Sequence, residues 1–326
     1  MKKILTFTAF AILGIVSSVA QNTVTADLYH EGNVTHYSGI NSLANASNDA
    51  ISGDTIILSK GDFLSSAITI TKPLTIIGSG MDTDSEGQRT VLKNAVTIDI
   101  EENNGKDFYL EGLCSENGIY VTNSTEHSQI TRCQLKSCQT SDSIYIVQCK
   151  IKGLSGNGYK NCSNCHVGPI GTYSNYIMTN CVIQVPYTSN TPYVNPAPNS
   201  IFMSCIFMSS GVSDYVVFPA STLAYNCYAI NVPNLFNNIV DPSSNNHHLS
   251  DFSMFKTFNA NSTYEDSCEL TDEAAATYLG EDGTQIGMYG GTTPFSSKTS
   301  IPQITTFNVD RYASGGTIGV HIGINE

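Results

Sequence analysis

The sequence predicts an all-β chain wound as a solenoid of stacked parallel strands, and three observations carry that expectation. Cysteines recur at a fixed interval: Cys133, Cys149, Cys165 and Cys181 are sixteen residues apart, and Cys205 and Cys227 follow at gaps of 24 and 22. The residues around each cysteine repeat as well, as in Ile-Thr-Arg-Cys-Gln-Leu (130 to 135), Ile-Val-Gln-Cys-Lys-Ile (146 to 151) and Met-Thr-Asn-Cys-Val-Ile (178 to 183). Composition agrees: Trp is absent and only 13% of residues are charged. Asn, Ser, Thr, Gly and Ile are plentiful, which favours strands and turns over helices.

Counted from the cysteine, apolar or thiol groups fall at positions −3, 0 and +2, and at +5 the regular units offer Cys138, Leu154, Ile170 and Pro186. These positions are expected to point inward. A unit this short cannot bury such a face alone, so successive units must stack, with backbone hydrogen bonds between turns about 4.8 Å apart. A leucine-rich or helical repeat fits less well, because the Leu-x-x-Leu-x-Leu signature and a 3.6-residue period are missing. Sixteen residues is a short circuit for a coil with three faces.

At the start, Lys2 and Lys3 precede an apolar run from Ile4 to Val16 and the small-residue end Ser17-Ser18-Val19-Ala20. That order reads as a secretory signal peptide, with the mature chain starting near Gln21. The first cysteine is Cys114, so a lipid-anchored form is not expected. No later apolar run approaches the length of a membrane span. A formal charge of −13 makes nucleic acid a poor partner.

The repeat resembles that of the pectin-lyase-like right-handed parallel β-helix superfamily, whose coils carry Asn-Asn before the last strand; here Asn164, Asn180 and Asn226 keep the first Asn and cysteine replaces the second. Gly53-Asp54-Thr55-Ile56-Ile57-Leu58, Gly61-Asp62-Phe63 and the stretch from Ile68 to Gly80 resemble the first coils of such proteins. Ile40 to Ile51 reads as a capping helix, and Asp282 to Gly291 resembles the segment that closes many bacterial β-helices. The resemblance spans about residues 40 to 294. It implies a right-handed parallel β-helix and leaves the activity open, since the superfamily includes lyases, hydrolases, adhesins and phage proteins. The expected organisation is a signal peptide (1–20), an N-terminal cap (21–52), coils (53–240), a closing segment (241–298) and a terminal β-hairpin (299–326) with strands at Ile304 to Val309 and Thr317 to Ile324.

Cys133, Cys149, Cys165, Cys181, Cys205 and Cys227 are expected to form one interior ladder of thiols. Side chains stacked in a column run nearly parallel, so their Cβ atoms lie about one strand spacing apart, wider than the ~3.8 Å that a disulfide favours. Cys114 and Cys268 fall outside this constraint. Cys162-Ser-Asn-Cys165-His166 matches the attachment pattern of c-type haem, yet the register puts both thiols inside and His166 outside. Zinc would need a second ligand pair, and none presents itself.

For chemistry, a glycosidase needs two carboxylates roughly 5 to 9.5 Å apart. Asp142 is the one acid between residues 127 and 213, so the nearest pair is Asp99 with Glu101, expected on one outer face about 7 Å apart and read first as solvated strand charges. A uronate lyase needs a cation and a base, but arginine occurs only at 89, 132 and 311, and the family's arginine-containing lyase signature and polygalacturonase motifs are missing. Against Asp142 stand Arg132, Lys136, Lys150, Lys152 and Lys160. Arg132 at −1, Lys150 and His166 at +1, and Lys136 and Lys152 at +3 are expected to form an outward basic strip for an acidic polysaccharide, with Lys150 and His166 as the weak candidates for a base. Tyr187 and Tyr193, in the proline-rich insert before Cys205, are expected to stack on sugar rings. Asp82, Asp84 and Glu86 are a weak calcium candidate, because Lys93 stands where a calcium loop needs its bidentate Glu. No other cofactor is expected. The adjacent His247 and His248 would point to opposite faces of a strand.

The expected function is therefore an exported, non-catalytic β-helix that binds a polysaccharide or cell-surface glycan, or mediates adhesion, through its lateral face. The alternatives are a polysaccharide lyase or glycoside hydrolase of the same group and a structural cell-envelope protein.

Overall fold

A computed structural model describes residues 23–81, 89–101, 105–170, 175–185 and 199–300, with the backbone of strands Gln303–Val309 and Val320–Asn325. The signal-peptide segment, Asp82, Asp84, Glu86, Tyr187 and Tyr193 lie outside the described residues.

The chain is a right-handed parallel β-helix of about eight turns. Thr25–His30 and Asn33–Ser38 open it as an antiparallel hairpin whose turn uses left-handed Glu31 and Gly32, and the first of these strands pairs with Thr55–Leu58. Helix α1 (Ser42–Asp49) sits over the open end with Leu43 and Ala46 buried, and Lys72 Nζ donates to the carbonyls of Asn48 (2.8 Å) and Ala50 (2.6 Å) at its C-terminus.

Three sheets follow, of eleven, ten and five strands among the described residues. In the eleven-stranded sheet the −3 positions Ile130, Ile146, Cys162, Met178, Phe202 and Ala224 pair rung to rung in one buried column. In the ten-stranded sheet the +2 positions Leu135, Ile151, Val167, Ile183, Phe207 and Ala229 do the same. In the last coils Phe202 stacks on Phe218, Phe207 meets both edge-on, and Phe236 packs against Phe207 and Phe218, filling the core. The strand His247–Leu249 pairs in parallel with Tyr228–Ile230, so pairing continues beyond residue 240.

Each cysteine of the ladder follows a residue in left-handed conformation: Arg132, Gln148, Asn164, Asn180, Ser204 and Asn226 have φ between 49 and 54°. This is the corner between the two large sheets. Asn tolerates that backbone best among residues with a side chain, which accounts for its recurrence there. The third sheet closes the sixteen-residue circuit with strands of two or three residues, Cys138–Thr140 and Leu154–Ser155. Such economy brings neighbouring rungs together at the turns. Gly156 has φ +103°, and a Cβ there would lie 2.0 Å from the Thr140 carbonyl oxygen.

Lys160, one of the central cations that the repeat leaves outside the basic strip, points inward. It lies in the inward column between Ile144 and Tyr176 and is fully buried, with Nζ donating to the carbonyls of Gly156 (2.8 Å) and Gly158 (2.6 Å) and standing 5.5 Å from the Tyr176 ring centroid. Burial lowers its pKa to about 8.

Residues after the last coil fold back along the side of the solenoid. Met254, Phe255, Phe258, Leu270, Ile286 and Met288 pack on Val182, Ile206, Met208, Tyr228 and Ile230, which face out of the ten-stranded sheet. The stretch from Asp282 to Gly291 thus covers a lateral face. It is held at the corner: Asn164 Nδ2 donates to the carbonyls of Met288 (3.0 Å) and Gly290 (2.7 Å), and Gln148 Nε2 to that of Pro294 (2.5 Å). The terminal strands Gln303–Val309 and Val320–Asn325 form an antiparallel pair. No helix among the described residues is long and apolar enough to cross a membrane.

Candidate binding groove on the lateral face

The outward columns of the ten-stranded sheet carry the side chains that the sequence singles out. The +1 positions pair from Cys114 through Gln134, Lys150, His166, Val182 and Ile206 to Tyr228. Lys136 and Lys152 follow on the +3 side of adjacent rungs and are exposed. The register is the one that the repeat predicts. The accessibility differs, because the returning segment lies over much of this face.

His166 is fully buried. Its ring meets Phe258 edge-on at 5.6 Å, and the Cys268 sulfur lies 3.5 Å from Nδ1. Burial drops its pKa to about 3 and drives the Cys268 thiol up, so the pair is a neutral imidazole beside a protonated thiol. Neither group is exposed to a substrate in the groove. Lys150 is 8% exposed, donates to the Glu265 carbonyl at 2.9 Å and stands 5.7 Å from the Phe295 ring centroid. Arg132 pairs with fully buried Glu111 at 2.5 Å and donates from Nε to Gln148 Oε1 at 2.9 Å. Glu111 also accepts from the Ser300 backbone N–H (2.7 Å) and hydroxyl (2.6 Å). The expected open strip is therefore divided: Arg132, Lys150 and His166 serve the cover, while Lys136 and Lys152 face solvent.

Those two lysines line a groove of about 830 Å³ between the sheet and the 262–265 stretch of the returning segment. Arg89, Asn117, Gln134 and Tyr264 line it with them. Its carboxylates are engaged: Glu116 pairs with Lys93 at 2.6 Å, and Glu265 accepts from Gln134 Nε2 (3.0 Å) and the Tyr264 hydroxyl (3.0 Å). Desolvation, with Glu265 beside it, pushes the Tyr264 phenol up to about 12. A smaller cavity of about 240 Å³ adjoins along the axis, sharing Pro169, Gln184 and Ser262. From the Glu116 rung to the Met208 rung the two extend roughly 24 Å at about 4.8 Å per rung.

Tyr264, Gln134, Arg89 and Asn117 are groove residues that sequence reasoning missed. Gln134 sits at +1 and was legible as outward, but nothing local announces that Glu265, 131 residues away, folds onto it. Asp99 lies on the five-stranded sheet, away from the groove, where it accepts from the Thr122 hydroxyl (2.9 Å) and Asn123 Nδ2 (2.6 Å); the strand ends there, and Glu101 is an exposed bend residue. Lys93 binds Asp62 (3.3 Å) and Glu116. No three His, Cys, Asp or Glu side chains gather as a metal cluster among the described residues. His247 and His248 take opposite faces, against Tyr228 and Phe236 respectively.

No family model matches the chain, and neither curated proteins nor solved structures give a match.

Proposed function

We propose that this is an exported β-helix of the pectin-lyase-like kind that binds an extended acidic glycan in its lateral groove without cleaving it. One observation carries the reading: Lys136 and Lys152 stand exposed on adjacent rungs of an elongated groove, with Arg89 and Tyr264 in its walls. Cations at rung spacing suit a polymer with regularly placed carboxylates or sulfates, and an aromatic ring in the wall suits a sugar face. The non-catalytic part rests on the chemistry of the site. The weak base candidates Lys150 and His166 are covered, and the groove carboxylates are held by neighbouring donors.

The test is retention on immobilised uronate and sulfated polysaccharides. Lys136→Ala with Lys152→Ala is expected to reduce retention at least tenfold and to flatten its salt dependence, while stability changes by less than about 0.5 kcal/mol as befits exposed positions. Unchanged retention removes the groove assignment. Release of unsaturated or reducing sugars by the unsubstituted protein overturns the non-catalytic reading.

A further inference from the structure

All ten cysteines are buried and unbridged, and six of them share the corner column. Their sulfurs form a continuous run. The backbone N–H of Cys133 donates to the Cys149 sulfur at 3.4 Å, and that of Cys149 to the Cys165 sulfur at 3.4 Å. Each thiol also faces the carbonyl two residues before it, at 3.2 to 3.3 Å, from Thr131 to Tyr225.

A disulfide needs sulfurs about 2.05 Å apart, far below the separation of side chains that run parallel on stacked rungs. A metal–thiolate bond is about 2.3 Å long, so a cation midway between two sulfurs in a line holds them about 4.6 Å apart. That lies within a few tenths of an ångström of the rung spacing of about 4.8 Å. Thiolates select soft cations, and only a d10 ion such as Cu(I) is satisfied by two ligands in a line.

We propose that the thiol column binds soft monovalent d10 cations, each held linearly between the sulfurs of successive rungs. Every cation taken up displaces one thiol proton, so RSH and M⁺ give RS–M and H⁺, with no change of oxidation state. The exchange leaves no net charge in the core, where an unpaired ion would be prohibitively costly. The absence of three-ligand clusters among the described residues suits this mode, since a tetrahedral ion finds no site in a single file of sulfurs.

Because the column is closed to solvent, uptake requires the coil to open. The full chain is therefore unfolded in urea under argon and refolded with Ag(I), a redox-inert member of the class, then freed of excess metal. Metal per chain is counted, and circular dichroism reports the fold. The expected result is retention of about five Ag(I) per chain, one for each gap between six thiols, and no retention of Zn(II) treated alike. Cys114→Ser with Cys268→Ser should leave the count unchanged, and Cys165→Ala, which removes two gaps, should lower it by about two. X-ray absorption on the unsubstituted protein provides a readout that needs no variant: two sulfurs per silver support the proposal. Three or four sulfurs per silver, no retained silver, or an unchanged count in folded Cys165→Ala overturns it.

Discussion

Among the groups through which acid should destabilise this fold, His166 carries the largest shift of any histidine. In the unfolded chain the imidazole titrates near 6.5, whereas burial against Phe258 and Cys268 brings it down to about 3. Below pH 6.5 the unfolded state binds a proton that the native state refuses, so the contribution of neutral His166 is complete above 6.5 and is lost progressively toward pH 3. At pH 5 the deficit is 1.5 pH units, or about 2 kcal/mol at 1.36 kcal/mol per unit. That is a large share of the 5 to 15 kcal/mol typical of a domain. Urea unfolding of the unsubstituted chain and of His166→Leu, at pH 7 and pH 5, isolates the effect, because every other titrating group is common to both. The stability difference between the two proteins should shift by about 2 kcal/mol in favour of the leucine variant as pH falls. Parallel pH slopes would refute the buried, neutral state of His166 and with it the tight seating of the returning segment.

Three further outcomes follow from the buried polar groups. Lys160 takes a proton less readily in the fold, at about 8, than in the unfolded chain, so between pH 8 and pH 10.5 it offsets part of the stability that the buried thiols, whose pKa values burial raises, lose over the same range; Lys160→Met should make the alkaline loss steeper in denaturation curves. Glu111→Gln leaves Arg132 without its carboxylate and weakens the Ser300 contacts, which should cost about 2 kcal/mol in urea unfolding. Asn164→Gly keeps the left-handed backbone but removes both donors to the Met288 and Gly290 carbonyls, so limited proteolysis should cut between residues 281 and 300 several times faster than in the parent chain.

The coil was legible because its signal is local and repeated. Ile130, Ile146, Cys162 and Met178 announce an inward column by spacing alone, and each Asn before a cysteine reports a left-handed corner. The spacing gave Lys160 no facing, since it lies outside the columns counted from the cysteine; two carbonyls from the tight Gly156 to Gly158 turn and the Tyr176 ring offset part of the desolvation that burial imposes. The lateral cover was missed although it left a trace. In the last coils Val182-Ile183, Ile206-Phe207-Met208 and Tyr228-Ala229-Ile230 are apolar at successive positions, where the earlier coils alternate, and an unbroken apolar strand marks a sheet buried on both faces. Which segment provides the cover depends on contacts more than a hundred residues apart, such as Asn164 with Gly290, and no periodicity encodes them.

The same trace explains where the groove lies. The returning segment adheres where outward residues are apolar, from Val182 to Ile230, because that contact removes hydrocarbon from water. Toward the N-terminal coils the outward positions become Gln134, Lys136 and Lys152. Seating the segment on Lys136 and Lys152 would strip them of water with no apolar gain in return, so it spans that region through Ser262 to Glu265 and leaves a gap beneath. At Lys150 and His166 the two regimes meet: an ammonium finds a backbone carbonyl and an aromatic ring, and an imidazole gives up its charge. The groove is thus the polar part of a face that the chain's own cover could not close, and its lysines stay exposed to solvent because covering them would have cost more than it gained.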